Sequence, residues 1–156
     1  MRVLFVCSGN VCRSPMAEAL ARKMLAERRR DDVGVSSAGT AAADGSGASE
    51  GSYLVGLEAG LDLGDHHAQQ LTADLVADAD IIFGMSEHHV ARSRELGGEG
   101  KAHLLGEYAG RTGDETEVPD PFGGDLEECR DTYARLQSLL EDALDRLLTE
   151  SGPGAG

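Results

Sequence analysis

Cys7 and Arg13 bracket five residues, Ser8-Gly9-Asn10-Val11-Cys12. A loop of that length can turn its backbone N–H groups inward around an anion, and a tetrahedral oxyanion fits the cradle. Ser14-Pro15 reads as a helix start, with Ser14 as N-cap and Pro15 at the first helical position, so a positive dipole end is added to the same spot. Cys7 belongs at the floor of the loop, where the N–H groups, the dipole and the Arg13 guanidinium all favour a thiolate. A thiolate beneath a bound phosphate is a nucleophile in position. Arg13 offers a planar fork of donors that clamps two equatorial phosphoryl oxygens better than a lysine does. The competing reading is an inert, buried cysteine in a strand-to-helix turn.

A second chemical group stands far away in sequence. In Val118-Pro119-Asp120-Pro121-Phe122-Gly123-Gly124 the prolines on both sides of Asp120 hold the backbone extended and present its carboxyl on a stiff loop. Attack at phosphorus needs an acid to protonate the departing atom, and hydrolysis of a cysteinyl-phosphate needs a base to accept a proton from water. Asp120 can do both. Alone, a Pro-Asp-Pro turn is ordinary loop chemistry; its pairing with the Cys7 loop gives it a task.

These groups need elements to carry them. Val3 to Val6 is an apolar run that reads as a buried strand. The helix after it carries Ala17, Leu20, Ala21 and Met24 at helical spacing and ends near Arg28-Arg29-Arg30, where basic residues suit a C-terminus. Val33 to Ala38 offers a second strand, and a strand-helix-strand unit of this size calls for a right-handed crossover into a parallel sheet. Gly39 to Ser52 is Gly-, Ala-, Ser-, Asp- and Glu-rich and reads as a long surface loop. Tyr53, Leu54, Leu57 and Glu58 indicate a short helix, and a further one follows Thr72 with Leu75 and Val76 on its apolar side.

Ile81 to Met85 is a third strand, central by its continuous apolar character. Ser86 caps a helix through Val90 and Leu96 that stops at Gly97-Gly98, and Ala102 to Leu105 is a short fourth strand. Leu126, Cys129, Tyr133, Leu136, Leu140, Ala143 and Leu147 mark a long amphipathic helix. Four strands alternating with helices give an α/β three-layer sandwich, with ligands expected outside the carboxyl ends of the strands.

At 156 residues the chain suits a single domain, 1–150, with 151–156 as a frayed tail, and can bury about 70% of its unfolded surface. Lys and Arg total 14 against 28 Asp and Glu, a formal charge of −14. That charge repels nucleic acid and anionic lipid, and no stretch approaches a membrane span. Three cysteines without a Cys-x-x-Cys pattern, and no secretory signal before the first strand, point to the cytoplasm. The pairs His66-His67 and His88-His89 lack metal-ligand spacing, because neighbours on a helix face different ways. No metal or other cofactor is expected. The oligomeric state is open.

Cys7-Ser8-Gly9-Asn10-Val11-Cys12-Arg13-Ser14-Pro15-Met16-Ala17-Glu18 resembles the signature of the low-molecular-weight protein tyrosine phosphatases, a family that includes a protein arginine phosphatase branch. The resemblance implies a four-stranded parallel sheet with helices on both faces. It also implies hydrolysis of phosphotyrosine on proteins or peptides through a cysteinyl-phosphate, with Cys7 as nucleophile, Arg13 as clamp and Asp120 as general acid and base. It assigns Ser8, Gly9, Asn10, Val11, Cys12, Ser14 and Phe122 to substrate binding, with the Ser14 hydroxyl easing thiolate departure. Asn10, Ser37 and His66 resemble the family's network that holds the loop in shape, with Glu18 as a partner for His66; the alternative for His66 is a partly exposed loop histidine. One departure stands out. Family members often carry an aromatic in the wall that stacks on the substrate ring, and no aromatic occurs between Ala38 and Tyr53, so stacking comes from Tyr53, from elsewhere, or not at all.

Selectivity in the resembled family turns on the residue two before the arginine. Phosphoarginine phosphatases typically place a threonine there and tyrosine-directed enzymes a branched apolar residue; Val11 points toward an aryl phosphate. Phe122 with Gly123-Gly124 and the aromatic-free loop look more like the arginine-directed branch. Arsenate reduction needs further cysteines to carry a disulfide away from the nucleophile, and Cys129, on the apolar stripe of the last helix, reads as core. A silent phosphate-binding module needs neither nucleophile nor acid. Cys12 reads either as a reversible disulfide partner for Cys7 or as small-residue packing.

Overall fold

In the computed structural model, which describes residues 1–121 and 124–150, four parallel strands are ordered β2-β1-β3-β4. They are β1 (Arg2–Cys7), β2 (Gly34–Gly39), β3 (Ile81–Gly84) and β4 (Ala102–Leu104). β1 pairs with both β2 and β3, bringing Phe5 level with Ser37 on one side and Phe83 on the other. A strand so placed is covered on both faces, which is why its sequence is apolar without alternation. Val3, Phe5 and Cys7 join one core with α1 (Arg13–Glu27) and α6 (Leu126–Glu150), whereas Leu4 and Val6 join a second with Val76 of α3 (Ala73–Asp78) and Val90 of α4 (Glu87–Ser93). The period of two along one strand thus builds a three-layer sandwich, and it sets Cys7 toward the α1 side.

Most of the expected elements are present, and the differences have physical causes. Ser14 is not an N-cap. α1 begins at Arg13 with Cys12 at the cap position and no side-chain cap; the Ser14 hydroxyl is engaged instead by Cys7 Sγ at 2.9 Å and Asn10 Nδ2 at 2.8 Å. A helix start without a side-chain cap keeps its N–H groups for an anion. The loop after β2 is shorter than Gly39 to Ser52, because Gly39 closes the strand and Ser49 caps α2 (Glu50–Glu58) by accepting from Ser52 N–H. α2 buries Ser52, Val55 and Gly56, and leaves Tyr53, Leu54 and Leu57 exposed.

The helix expected to run through Leu96 is α4 followed by a π-turn over Arg94–Gly98, where Gly97 takes a φ of 110°. Leu105 leaves β4 to begin a one-turn helix, α5 (Leu105–Tyr108), which the sequence reading did not anticipate. α1 stops at Glu27, and the basic cluster beyond it is held by acidic partners, Arg28 by Asp145 and Arg30 by Asp32. Phe122 and the 151–156 tail lie outside the described residues. Among the described residues no helix is long and apolar enough to cross a membrane.

The β3–α4 turn carries part of the site, and Gly84 lets it approach. A Cβ there would meet Val90 Cγ2 at 2.8 Å, Val90 N at 3.0 Å and His89 Cβ at 3.1 Å. Gly84→Ala is therefore expected to push α4 outward and to destabilise by about 1–3 kcal/mol, lowering Tm by roughly 3–10 °C in a thermal melt.

Candidate active site

The loop from Cys7 to Arg13 leaves the carboxyl end of β1 and is held in shape from below by one buried amide. Asn10 takes a left-handed conformation, φ 56°, which asparagine tolerates better than most residues. Its Nδ2 donates to Ser14 Oγ at 2.8 Å and to Ser37 Oγ at 2.9 Å, and its Oδ1 accepts from Gln69 N–H at 2.9 Å. Both amide hydrogens and the amide oxygen are thus engaged. The Asn10 carbonyl accepts from His66 Nε2 at 2.6 Å. The Ser37 hydroxyl in turn donates to Glu18 at 2.6 Å, and Glu18 also accepts from Arg22 at 2.7 Å. The expected Glu18–His66 pair is therefore replaced: Glu18 sits across α1 and β2, while His66 works on the loop backbone.

The outer wall is fastened by backbone. Thr40 N–H donates to Cys7 O, Ala41 N–H to Ser8 O and Ser49 N–H to Val11 O. A Cβ on Gly39 would collide with the Ser8 carbonyl oxygen, so this close approach requires glycine. Cys12 Sγ donates to Ser49 Oγ at 3.2 Å, and burial pushes its thiol up from the ordinary range. Cys129 is buried against Gly51 at the start of α2. All three cysteines are free thiols.

Cys7, Ser8, Gly9, Val11, Cys12, Arg13, Ala41 and Asp120 line a cleft of about 250 Å³. Cys7 is nearly inaccessible, with the Ser14 hydroxyl 2.9 Å from its sulfur. Arg13 is buried, and its Nη1 donates to Val118 O at 2.9 Å and to Ser86 Oγ at 3.3 Å. Its Nε is buried with no partner among the described residues, a donor that an oxyanion in the cleft would satisfy. Val118 N–H is tied to Met85 O at 2.9 Å, so the end of β3 fixes both the arginine and the start of the Asp120 loop. Asp120 Oδ2 lies 3.7 Å from Arg13 Nη2, its side chain 47% exposed at the mouth. The cleft shows no aromatic among its described lining residues, and Tyr53 stands outside it. Among the described residues, no group of three His, Cys, Asp or Glu could hold a metal.

The sequence reading missed His89. It weighed the His88-His89 pair only as a metal site, yet His89 is fully buried beside the loop. Its Nδ1 accepts from Ser86 N–H at 3.0 Å and its Nε2 is 2.9 Å from Ser8 Oγ. The Ser86-x-x-His89 spacing at a helix start was the available signal, since a side chain three residues in can reach back to the cap N–H.

Burial, reinforced by the neighbouring His88 and Arg13, pushes the His89 pKa down to about 3 from 6.5. The unfolded chain takes up a proton as pH falls below 6.5 while the native ring does not, so this group's stabilisation is present above that pH and is lost on acidification. Between about pH 7 and pH 5 the loss is expected to be on the order of 2 kcal/mol, read as a falling urea midpoint. His89→Asn is expected to flatten that dependence.

Residues 2–152 match the family model for low molecular weight phosphotyrosine protein phosphatase. The chain is 35% identical over 146 residues to the probable low molecular weight protein-tyrosine-phosphatase AmsI of Erwinia amylovora, covering 92% of each chain. It is 36% identical over 149 residues to a protein-arginine-phosphatase of Bacillus subtilis, covering 94% of this chain and 97% of the relative. Among solved structures, a cysteine-to-serine mutant of YwlE arginine phosphatase with a phosphorylated active site serine superposes with a TM-score of 0.85 at 35% identity, over 94% of this chain and 95% of that one. With a matching fold, a Cys-x5-Arg loop at the end of β1 and relatives over nearly its whole length, the chain belongs to the low molecular weight phosphotyrosine protein phosphatase family.

Proposed function

We propose that this protein hydrolyses phosphotyrosine on proteins in two steps, within a single domain spanning 1–150. The observation that carries the reading is that Asp120, more than a hundred residues from Cys7 and Arg13 in sequence, lines one cleft with them. The phosphoryl group sits in the Cys7–Arg13 loop, where the Arg13 fork, including the Nε that has no partner among the described residues, takes up its oxygens. Cys7 Sγ attacks phosphorus from below; the S–P bond forms as the P–O bond to the tyrosine breaks, and Asp120 gives its proton to the departing phenolate. Asp120 then accepts a proton from water, which attacks the cysteinyl-phosphate, and the S–P bond breaks to release phosphate. The Ser14 hydroxyl, 2.9 Å from the sulfur, stabilises the thiolate as it leaves. Phosphorylation of the active site serine in the YwlE mutant supports a covalent intermediate at the corresponding place.

Val11 on the cleft wall supports an aryl phosphate, since it keeps a branched apolar shape and offers no hydroxyl to a guanidinium. A second reading, hydrolysis of phosphoarginine, is favoured by one observation: from the loop after β2 it is Ala41, not an aromatic, that lines the cleft. Three free thiols suit a reducing cytoplasm.

The deciding experiment compares kcat/KM on matched phosphotyrosine and phosphoarginine peptides, with Cys7→Ser as control. Preference for phosphotyrosine and loss of turnover in Cys7→Ser are expected; preference for phosphoarginine gives the second reading, and full activity in Cys7→Ser removes the covalent mechanism. Asp120→Ala is expected to slow aryl phosphates with poor leaving groups by about 10²–10⁴-fold, and activated ones much less, in a leaving-group series.

A further inference from the structure

His89 is fully buried beside the reacting loop, and the two-step reaction makes no use of it as acid or base. Its Nδ1 faces the Ser86 backbone N–H, a group that can only donate, at 3.0 Å. Nδ1 is therefore an acceptor, and the ring proton of the neutral imidazole is on Nε2. Nε2–H in turn donates to Ser8 Oγ at 2.9 Å. A serine hydroxyl has a single proton, and with its oxygen facing an N–H that proton must point elsewhere. Among the described residues the exposed His88 ring is one acceptor in reach, its Nε2 at a marginal 3.5 Å; an anion bound in the cleft that Ser8 lines would be another. A phosphoryl oxygen is the stronger acceptor of the two.

We propose that the Ser8 hydroxyl donates directly to the bound phosphoryl group, and that His89, held as its Nε2–H tautomer by the Ser86 N–H, is the positioning residue that aims it. The proposal rests on reading the cleft as a phosphoryl site. His88, with ring centroids 4.0 Å apart, and the Arg13 guanidinium are the titratable and charged groups facing the ring. With burial they keep it uncharged, so the tautomer does not change near neutral pH. Ser93 Oγ fixes the same residue from behind by donating to the His89 carbonyl at 2.8 Å. Ser86 serves both groups: its N–H orients His89 and its hydroxyl accepts from Arg13 at 3.3 Å.

The test is calorimetric titration of inorganic phosphate, which needs no turnover, into wild type, Ser8→Ala, His89→Asn, His89→Gln and the Ser8→Ala/His89→Asn double variant. Asparagine keeps an acceptor for the Ser86 N–H, and glutamine returns an N–H near the Nε2 position. Ser8→Ala and His89→Asn are each expected to weaken phosphate binding about tenfold, the scale of a hydrogen bond to a charged group. His89→Gln is expected to recover most of the loss, and the double variant to bind no more weakly than Ser8→Ala alone. Unchanged affinity in Ser8→Ala, or additive losses in the double variant, overturns the proposal while the phosphatase reading stands. Should His89→Asn fail to fold, Ser8→Ala and His89→Gln still decide. Wild type that hydrolyses no phosphopeptide and binds no phosphate removes both.

Discussion

The buried side chain of Asn10 is the constraint on which the site depends. The side chain binds Ser14 on α1, Ser37 on β2 and the Gln69 N–H on the segment before α3, and the backbone carbonyl of the same residue accepts from His66 on that segment, so three parts of the chain meet at one residue. A loop whose N–H groups converge has no regular partner for its own carbonyls, and a left-handed residue inside it costs about 1 kcal/mol or more. The Asn10 network offsets that cost with hydrogen bonds, of which those to Ser14 and Ser37 are buried, a setting where such bonds are stronger and where leaving them unmade is expensive. The shape of the anion cradle is therefore built into the folded state and does not wait for a ligand.

Around this cradle the sheet sorts the chemistry by direction. Alternation along β1 sends Cys7 to the α1 and α6 side, with Phe5 and Val3 beneath it, so the proposed nucleophile rests on a packed core. The crossover from β1 through α1 returns β2 alongside, and Gly39 at its end permits the wall to touch the Ser8 backbone. On the other flank β3 ends at Gly84 and Met85, from which Val118, and with it the Asp120 loop, is hung by a backbone hydrogen bond. Both neighbours of β1 thus deliver one side of the cleft, as parallel sheets do at their carboxyl ends.

The electrostatics are uneven. A chain carrying −14 formal charge keeps one arginine buried at this spot, with Val118 O, Ser86 Oγ and, at 3.7 Å, Asp120 around it. The carbonyl and hydroxyl orient the guanidinium without neutralising it, so its charge remains available to an oxyanion. The neighbouring His89, kept neutral by burial, adds direction without adding charge.

The sequence by itself determined the strands, the long last helix, the family, and the pairing of a Cys-x5-Arg loop with a stiff aspartate, because these rest on local properties: apolar period, proline geometry and motif spacing. It misjudged Ser14, whose Ser-Pro context reads as a cap, because only the fold shows that Cys7 and Asn10 reach that hydroxyl first. It paired Glu18 with His66, whereas β2 brings Ser37 to Glu18 and the turn before α3 brings His66 to the Asn10 backbone. His89 is the fullest case. The Ser86-x-x-His89 spacing marks it as a helix-start residue and no more, and only the β1–β3 register, which lays the β3–α4 turn beside the loop, makes such a histidine a partner of Ser8. Contacts between residues some eighty positions apart are made by strand order and burial, which a one-dimensional pattern does not contain.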